Sequence, residues 1–458
     1  MDDHLHLSKS KYCGLWQCPK LAWLNENKPE MAETDPSVAG RLEAGREVGK
    51  LARELFGEYE DVTAYKDGSL DMVAMEAVTI REMEKKTPTI CEASFNYNGL
   101  FCAVDILKHQ DDGWVIYEVK SSTKLTKDVY IADVAYQLYV LEHCRVRISG
   151  VYIVALNRGY VFDGTLDLSQ LFIIKDVTKQ ARREQKTVKD NLALATIVMA
   201  SKDEPNILLS KACKSPYPCP FQKYCQSELP ETTIKLTRPD YTDQKSLKRF
   251  VHALWYPLYF LDFETIQPVI PRYIGTRPYD QIPFQYSLHY KEYANGELKH
   301  KEFLASPGTD PRRALAEHLC ADIPAWACVT AYNKVFECTR LKELAKQFPD
   351  LSDHLLAIEN HVIDLLVPFR SGWLYRQAMG NSFSIKSVLP ALYPNDPKLD
   401  YHRLEEIRSG NEAMAAFPAM EKMTPEEQKR TRCNLLKYCE LDTLAMVKVW
   451  EKLTKIAA

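Results

Sequence analysis

The chain has 458 residues and a formal net charge of −3, with 59 basic and 62 acidic side chains. This slightly negative balance argues against a protein that coats nucleic acid through charge alone, and the length predicts two domains of roughly 200 residues. The polar opening lacks a secretion signal, and no apolar run reaches the roughly 18 residues of a membrane span. We therefore expect a cytoplasmic protein without a membrane partner and without disulfides.

Residues 1–228 are predicted to form one α/β domain. Apolar periodicity indicates helices over residues 8–25, 38–56, 128–143 and 178–200. Strands are expected near residues 150–156 and 171–175, in addition to a hairpin between residues 101 and 120. The domain should therefore have a mixed α/β core.

The hairpin carries the first candidate site. Residues 101–106 alternate between the two faces of a strand, and residues 111–113, Asp-Asp-Gly, form the turn. Glu118 and Lys120 are two apart and share a face, and the hairpin can bring Asp105 beside them. Two carboxylates and an ammonium suit Mg²⁺-dependent phosphodiester cleavage. The alternative is a solvated hairpin with ordinary surface charges.

The order Glu92, Asp105, Glu118-x-Lys120, followed by a helix with Gln137, resembles the RecB-like branch of the PD-(D/E)XK nuclease superfamily. The resemblance implies a restriction-endonuclease-like core in which Asp105 and Glu118 hold Mg²⁺ or Mn²⁺ and Glu92 assists. It further implies that Lys120 stabilises charge or activates water. Gln137 matches the glutamine of the family's helix and is preferred to its neighbour Tyr136.

Four cysteines frame this domain. Cys18 lies near the N-terminus, and Cys213, Cys219 and Cys225 are evenly spaced in a proline-rich stretch. In a reducing compartment, clustered cysteines indicate metal binding more often than cross-links. The arrangement resembles the iron–sulfur frame of nucleases in the same branch, which implies a [4Fe-4S] cluster. A zinc site and plain buried thiols remain open alternatives, and the remaining cysteines are interpreted as small core residues.

Residues 229–250 are predicted to be a linker, because they are polar, contain two prolines and lack a sustained apolar period. Residues 251–458 would then form the second domain. A buried strand near its start ends in Asp262 and Glu264, which share a face. Tyr438 and Asp442 lie four apart in a helical pattern far downstream, and between the two motifs lies the stretch 331–337, Ala-Tyr-Asn-Lys-Val-Phe-Glu, which ends in Glu337.

These motifs resemble the tyrosine subtype of the DEDD exonucleases, which have an RNase H-like fold. The resemblance implies that Asp262, Glu264, Glu337 and Asp442 hold a metal pair and that Tyr438 positions the attacking water. The second motif of that family usually supplies aspartate where this chain has Glu337.

The two-domain plan also resembles an uncharacterised bacterial family, described as domain of unknown function 2779, in which glutamate is usual at the position of Glu337. Two further residues match its pattern. Asp364 could be an accessory carboxylate and Lys386 a phosphate contact, and a structural role is equally open for each.

Together the motifs predict a Mg²⁺- or Mn²⁺-dependent nuclease with two hydrolytic modules. Its expected partner is nucleic acid, and DNA is favoured over RNA. We expect it to cut single strands or ends, in DNA repair or defence. Two alternatives belong to other classes: a nucleic-acid-binding scaffold with inactive sites, and a redox-responsive iron–sulfur protein that binds DNA.

Overall fold

The computed structural model describes residues 5–33, 37–125, 127–228, 238–394, 396, 399 and 401–458. The chain is mixed α/β, as predicted, and divides into two compact units. The first unit comprises Met1–Ile234 and Val269–Tyr279, and the second comprises Lys235–Pro268 and Asp280–Ala458. The segment Val269–Tyr279 therefore departs from the predicted boundaries, which placed all of residues 251–458 in one domain.

The main sheet of the first unit has the strand order β2-β5-β6-β7-β8-β9, and β1 pairs with β6. A separate two-stranded sheet is formed by β3 and β4. The strands are β1 (Leu7–Ser8), β2 (Glu60–Asp61), β3 (Tyr65–Lys66), β4 (Ser69–Leu70), β5 (Thr89–Tyr97), β6 (Leu100–Gln110), β7 (Gly113–Lys120), β8 (Ile148–Leu156) and β9 (Phe172–Asp176). The predicted hairpin is the antiparallel pair β6 and β7.

The helices of the first unit are α1 (Lys9–Gln17), α2 (Pro19–Asn27), α3 (Ser37–Glu54), α4 (Met72–Glu84), α5 (Asp128–His143), α6 (Leu168–Leu171), α7 (Thr178–Arg183), α8 (Gln185–Ala200) and α9 (Gln222–Ser227). Helix α5 has the predicted bounds and packs on β5, β6, β7 and β8. Most residues of α5 are buried, because the helix lies between the sheet on one side and helices α1, α7 and α8 on the other.

Two predicted helices are each broken into two. The helix expected over residues 8–25 is interrupted at Cys18, which is extended (φ −163°, ψ 120°) and is followed by Pro19 as the first residue of α2. A residue before proline avoids the helical region, and proline suits the first turn of a helix. The helix expected over residues 178–200 is likewise divided at Glu184.

The main sheet of the second unit has the order β13-β12-β11-β14-β15, with the first three strands antiparallel and the last two parallel to β11. A small separate sheet pairs β10 with β16. The strands are β10 (Tyr241–Thr242), β11 (Leu258–Ile266), β12 (Ile282–Lys291), β13 (Lys299–Leu304), β14 (Cys328–Ala331), β15 (Val362–Asp364) and β16 (Leu374–Tyr375).

The helices of the second unit are α10 (Gln244–His252), α11 (Arg312–Asp322), α12 (Val335–Gln347), α13 (Ser352–Asn360), α14 (Val367–Arg370), α15 (Ile385–Leu392), α16 (Gly410–Ala419) and α17 (Pro425–Ala457). Helix α17 starts with a capping box between Thr424 and Glu427 and packs on β11, β12 and β13. None of the described helices combines the length and the apolar composition that crossing a membrane requires.

The predicted linker at 229–250 is partly wrong. Residues 229–237 lie outside the described residues, but residues 238–250 contain β10 and most of α10. The Asp243 side chain accepts a hydrogen bond from the Ser246 N–H at 3.0 Å and caps α10, and Leu247 is fully buried. A helix of nine residues offers too few apolar positions for a periodic signal in a polar stretch.

Candidate metal centres

Three carboxylates meet where β11 and α17 pack together in the second unit. Asp262 and Glu264 are two apart on β11, which lies at the centre of the sheet, and Asp442 comes from α17. One oxygen atom from each carboxylate lies within 4.8 Å of the others. Glu264 and Asp442 are 7% and 9% exposed. We call this group the carboxylate centre.

Burial and mutual repulsion disfavour the ionised forms of these carboxylates. Burial, followed by the charges of Asp442 and Glu264, raises the pKa of Asp262 well above its usual range. The same two causes, burial and then Asp442, raise the pKa of Glu264 to about 8. Carboxylates this close ionise together only when a cation compensates their charge. Three hard oxygen donors are the ligand type that Mg²⁺ and Mn²⁺ prefer, so the residues fit such an ion.

Side chains around the carboxylate centre fix its geometry. The Tyr401 hydroxyl donates to Asp442 Oδ1 at 2.6 Å, and the Cys439 thiol lies 3.7 Å from Asp262 Oδ2. Lys386 donates to the Arg408 carbonyl at 2.9 Å and to the Tyr438 hydroxyl at 3.4 Å. Its ammonium counteracts the raised pKa of Glu264.

Tyr438 lies beside this centre as a neutral donor. Burial, and then the charge of Asp442, raises the pKa of Tyr438 far above its usual range, so the phenol keeps its proton. It can therefore donate a hydrogen bond but cannot act as a base at neutral pH.

Glu337 is close to the centre without being part of it. It lies in the first turn of α12 and is 4% exposed, and its Oε2 has no hydrogen-bond partner in the described part of the chain. Burial raises its pKa to about 8, and its charge contributes to the raised pKa of Asp262. A buried carboxylate oxygen without a partner is costly, and a second cation or an ordered water would satisfy it.

Asp364 has a structural role. Its Oδ1 accepts hydrogen bonds from the backbone N–H groups of Asn333 and Leu366, both at 2.9 Å. Asn333 has a positive φ of 69°, and this carboxylate holds the turn that leads into α12. Asp364 Oδ1 is thus engaged by backbone donors, and its Oδ2 accepts from Arg370 at 3.3 Å.

In the first unit, the hairpin carboxylates lie in a network of lysines. Glu118 is 2% exposed and accepts from Lys120 Nζ at 2.7 Å and from Lys9 Nζ at 3.0 Å. Lys9 also lies 3.5 Å from Asp105 Oδ1, and Lys120 contacts Asp133 Oδ2 at 2.6 Å. We call these five residues, Lys9, Asp105, Glu118, Lys120 and Asp133, the lysine–carboxylate network.

Asp105 lies where the sheet forks. The amino-terminal end of β6 pairs with β1, and its other end, from Ile106 onward, pairs with β7. Asp105 Oδ2 accepts from the Val119 N–H at 2.7 Å, just beyond the last paired residues of the hairpin. The fork therefore places the carboxylate beside Glu118 although the two residues do not pair in the ladder.

The charged groups of the network shift one another's pKa values. Burial opposes ionisation of Glu118, but Lys120 and Lys9 together hold its pKa well below its usual range. Burial, and then the charge of Glu118, raises the pKa of Asp105 to about 7. Burial also disfavours the charged form of Lys9, but Asp105 and Glu118 raise its pKa well above its usual range. Lys9 is therefore an ammonium located between the two carboxylates to which the resemblance assigned a metal.

Gln137 and Glu92 occupy different positions around the network. Gln137 Nε2 donates to Glu118 Oε2 at 2.8 Å and to Asp133 Oδ1 at 2.9 Å, and its Oε1 has no partner among the described residues. Glu92 is paired instead with Arg53, at 2.6 Å, and has a positive φ of 56°. Tyr136 points away, since its hydroxyl bonds the Leu7 carbonyl at 2.5 Å. Gln137 therefore contacts the hairpin glutamate, and Tyr136 does not.

The four framing cysteines line one cavity of the first unit. Cys18 lies between α1 and α2, Cys213 ends a 3-10 turn, and Cys225 is on α9. The Cys219 N–H donates to the Cys213 carbonyl at 2.9 Å. Burial, with a smaller contribution from the neighbouring cysteines, raises the pKa of Cys219. We call this group the cysteine cavity.

The spacing of the cysteine sulfurs bears on what they could hold. Tetrahedral zinc with bonds of about 2.3 Å requires sulfurs roughly 3.8 Å apart. Within the described residues, no three of the cysteine sulfurs lie within 4.8 Å of one another. Four thiols that line one cavity are a donor set that suits either an iron–sulfur cluster or a zinc ion, so the residues fit both groups. Lys20 also lines the cavity, where an ammonium offsets thiolate charge.

Sequence reasoning missed three residues of these centres. Lys9 is 109 positions from Glu118, and nothing in its local pattern marks it. Asp133 had a usable signal, because it lies one helical turn before Gln137 on the same face of α5. Tyr401 lies in a 3-10 turn without a motif.

The comparisons with known proteins bear on the second unit. A family model described as Domain of unknown function (DUF2779) matches residues 259–384. No curated protein matches the chain. The matched stretch contains Asp262, Glu264 and Glu337 and ends before Tyr438 and Asp442. This stretch of the second unit is thus similar to a family of unknown function, and the match supports the predicted resemblance to that family.

Proposed function

We propose that this protein is a metal-dependent nuclease and that its principal hydrolytic site is the carboxylate centre. One observation carries the proposal: β11 and α17 bring three carboxylates, two of them buried and Asp262 half-buried, within 4.8 Å of one another. Burial, and then mutual repulsion, raises their pKa values, and a cation would offset this cost. A stable fold gains nothing from such a cluster by itself. Clusters of this kind are characteristic of functional sites.

The surroundings of the centre support an exonuclease of the DEDD type. The motif residues Asp262, Glu264, Tyr438 and Asp442 lie together although they come from opposite ends of the second unit. The order of the sheet, with β11 central and flanked by antiparallel β12 and parallel β14, is compatible with the RNase H-like fold that the motifs imply.

Each residue in and around the carboxylate centre would have a separate role in hydrolysis. Asp262, Glu264 and Asp442 would hold Mg²⁺ or Mn²⁺, and the unpartnered oxygen of Glu337 would serve a second ion. Bound divalent ions would polarise the scissile phosphate and lower the pKa of the attacking water. Neutral Tyr438 would donate a hydrogen bond that orients that water, and Tyr401 would keep Asp442 in position.

Cationic groups near the centre could receive the phosphate backbone of a nucleic acid. Lys386 reaches Tyr438, and Arg403 and Lys437 line a cavity next to the α17 turn that precedes Tyr438. Such groups bind phosphates without reading sequence. A preference for DNA over RNA, and for single strands or ends, rests on the resemblance alone.

The first unit would be a RecB-like module with a [4Fe-4S] cluster in its cysteine cavity. Asp105 and Glu118 would hold its metal, Lys120 would neutralise charge, Gln137 would orient Glu118, and Glu92 would assist from its pair with Arg53. Lys9 would have to leave the space between Asp105 and Glu118, because an ammonium and a metal ion cannot share it.

The position of Lys9 favours an alternative function for the first unit, which leaves the proposal for the second unit unchanged. An ammonium that pairs with Asp105 and Glu118 satisfies both carboxylates without a metal. A module held in that state would bind nucleic acid but would not cut it. The protein would then be a nuclease with one active site and one inactive, nucleic-acid-binding unit.

The test is a degradation assay with end-labelled single-stranded DNA, duplex DNA and RNA, in Mg²⁺, Mn²⁺ or chelator. We expect wild-type protein to degrade DNA with either ion and Asp262→Asn to reduce the rate on the order of 100-fold or more. Asp105→Asn measures the contribution of the first unit. Glu317→Gln, an exposed carboxylate on α11, is the matched control and should leave the rate unchanged.

Two results would overturn the proposal. One is the absence of degradation of any substrate by folded wild-type protein in Mg²⁺ or Mn²⁺. The other is an unchanged rate in the double variant Asp105→Asn, Asp262→Asn, which would assign the activity to a contaminant. Tight binding of DNA without cleavage would instead identify the scaffold alternative.

A further inference from the structure

A second group of metal-ligating side chains lies in the second unit and shares no residue with the carboxylate centre. His289 on β12, His300 on β13 and Glu440 on α17 each offer one ligand atom, and the three atoms lie within 4.8 Å of one another. The histidines are directly paired across the two antiparallel strands, and their ring centroids are 4.6 Å apart. We call these three residues the histidine site.

Two hydroxyl groups hold the imidazole rings from behind. Thr443 Oγ1 lies 2.8 Å from His289 Nδ1, and Ser287 Oγ lies 2.9 Å from His300 Nε2. The two hydroxyls are joined to each other at 2.7 Å. Among the described residues, His289 Nε2 and His300 Nδ1 are therefore the ring nitrogens without a hydrogen bond. Metal-binding histidines typically have this arrangement, with one nitrogen fixed by a polar partner and the other directed at the ion.

The site is both preformed and accessible. His289 is 5% exposed and is fixed by its packing, whereas Glu440 is exposed and gives solvent a route to the site.

We propose that His289, His300 and Glu440 bind a divalent ion of the zinc class, with the remaining coordination position open to water. Two imidazoles and one carboxylate suit zinc and the neighbouring transition metals. The carboxylate centre offers only oxygen and suits Mg²⁺ or Mn²⁺, so the two sites select different ions. A bound ion would join α17 to β12 and β13 and so fix the helix that carries Tyr438 and Asp442.

Zinc binding to the full-length protein tests the proposal by equilibrium dialysis and metal analysis. We expect His300→Ala and Glu440→Gln each to bind one fewer zinc equivalent than wild type. His318→Ala on α11 removes an imidazole outside the site, and Asp262→Asn alters only the carboxylate centre, so both should keep that equivalent. Thr443→Val should weaken zinc binding by about 10- to 100-fold, because it removes the hydroxyl that holds His289.

Melting curves in chelator show whether each variant folds. Glu440→Gln changes an exposed side chain and is expected to fold even if His300→Ala does not. Equal zinc content in wild type and in folded Glu440→Gln and His300→Ala would overturn the proposal. The outcome does not depend on nuclease activity, since no substrate is present.

Discussion

The three residues of the carboxylate centre destabilise the second unit when no cation is bound. Asp262, Glu264 and Asp442 lose hydration and repel one another, and Tyr401 and Lys386 compensate only part of that cost. Without a metal ion, protons relieve the repulsion at low pH. A buried group that needs either a proton or a metal gives the unit a stability that depends on both.

Glu264 allows this dependence to be measured. Its pKa rises from the usual 4.5 to about 8 in the folded state, so its contribution to stability is fully present below about pH 4.5 and is lost as pH rises through 8. In chelator, wild type should therefore lose more stability than Glu264→Gln between pH 5 and pH 8.5. The difference should be roughly 2 kcal/mol, or about 4–8 °C in melting temperature.

The matched control is Glu317→Gln, which should follow the wild-type pH profile because Glu317 is exposed. Saturating Mg²⁺ should reduce the pH dependence of wild type. Parallel profiles for wild type and Glu264→Gln in chelator would contradict the electrostatic account of the carboxylate centre.

In the first unit, the Lys9 ammonium lies between Asp105 and Glu118, where the proposed metal ion would bind. Lys9→Met keeps most of the length of the side chain and removes its charge. In chelator, we expect this variant to lose roughly 2 kcal/mol of stability, because Glu118 stays buried with only Lys120 as a cationic partner. The gain in melting temperature on adding Mg²⁺ should be larger than in wild type, since the competing ammonium is gone.

Lys11→Met on the same helix is the control, because Lys11 pairs with Glu26 at the surface. It should change the melting temperature only slightly. If Lys9→Met and Lys11→Met behave alike in chelator and in Mg²⁺, Lys9 does not take the place of a metal.

At the scale of elements, α17 connects the two centres of the second unit. Successive helical residues are rotated by about 100°, so neighbouring positions serve different faces. Tyr438 and Asp442 lie on the face that meets the carboxylate centre, and Glu440 and Thr443 reach the histidine site. A small rotation of the helix would therefore affect both sites together.

The segment from Ser201 to Phe221 has little regular secondary structure, so its conformation depends on contacts with other parts of the first unit. Its regular structure is limited to the 3-10 turn at Lys211–Cys213. Gln17 Nε2 fixes it by donating to the carbonyls of Ala212 and Tyr217, at 2.7 and 2.8 Å. Phe221 anchors one end in the core, and Glu204 near the other end pairs with Lys20 and Lys28. A group bound in the cysteine cavity would hold the stretch between them.

Cys213→Ser tests this dependence. We expect the variant to contain less iron and to be cleaved faster by protease within residues 201–221, because one ligand of the cavity is lost. Cys433→Ser, an exposed cysteine of the second unit, is the control and should match wild type in both measurements. Wild-type iron content and cleavage rate in Cys213→Ser would show that the cavity holds no cofactor through this residue.

At the scale of the whole molecule, each candidate centre is assembled within one unit. The lysine–carboxylate network and the cysteine cavity use side chains of the first unit, and the carboxylate centre and the histidine site use those of the second. The two units should therefore respond to metal separately.

Amide hydrogen exchange can separate these responses. In wild type, Mg²⁺ should slow exchange in β6 and β7 of the first unit and in β11 and α17 of the second. Asp262→Asn should remove the protection in β11 and α17 and leave that in β6 and β7, and Asp105→Asn should do the reverse. Loss of protection in both units from either substitution would show that the centres are coupled.

Much of this architecture was predictable where the signal is local. The β6–β7 hairpin follows from alternation and from the Asp-Asp-Gly turn, and β11 follows from an apolar run that ends in two carboxylates. The sequence also placed Asp442 on the same helix face as Tyr438, because the two residues are four positions apart. The break at Cys18 was not predicted, although Pro19 supplied the signal, because the apolar period continues across it.

The sequence by itself determined the types of side chain and their spacing along each element, since strand and helix geometry fix which residues share a face. Asp262 with Glu264, and Glu118 with Lys120, were paired in this way. Only the tertiary structure decided which distant groups complete each centre: Lys9 beside Glu118, Tyr401 on Asp442, and His300 across from His289. Those contacts depend on packing between elements far apart in the chain, which no local pattern records.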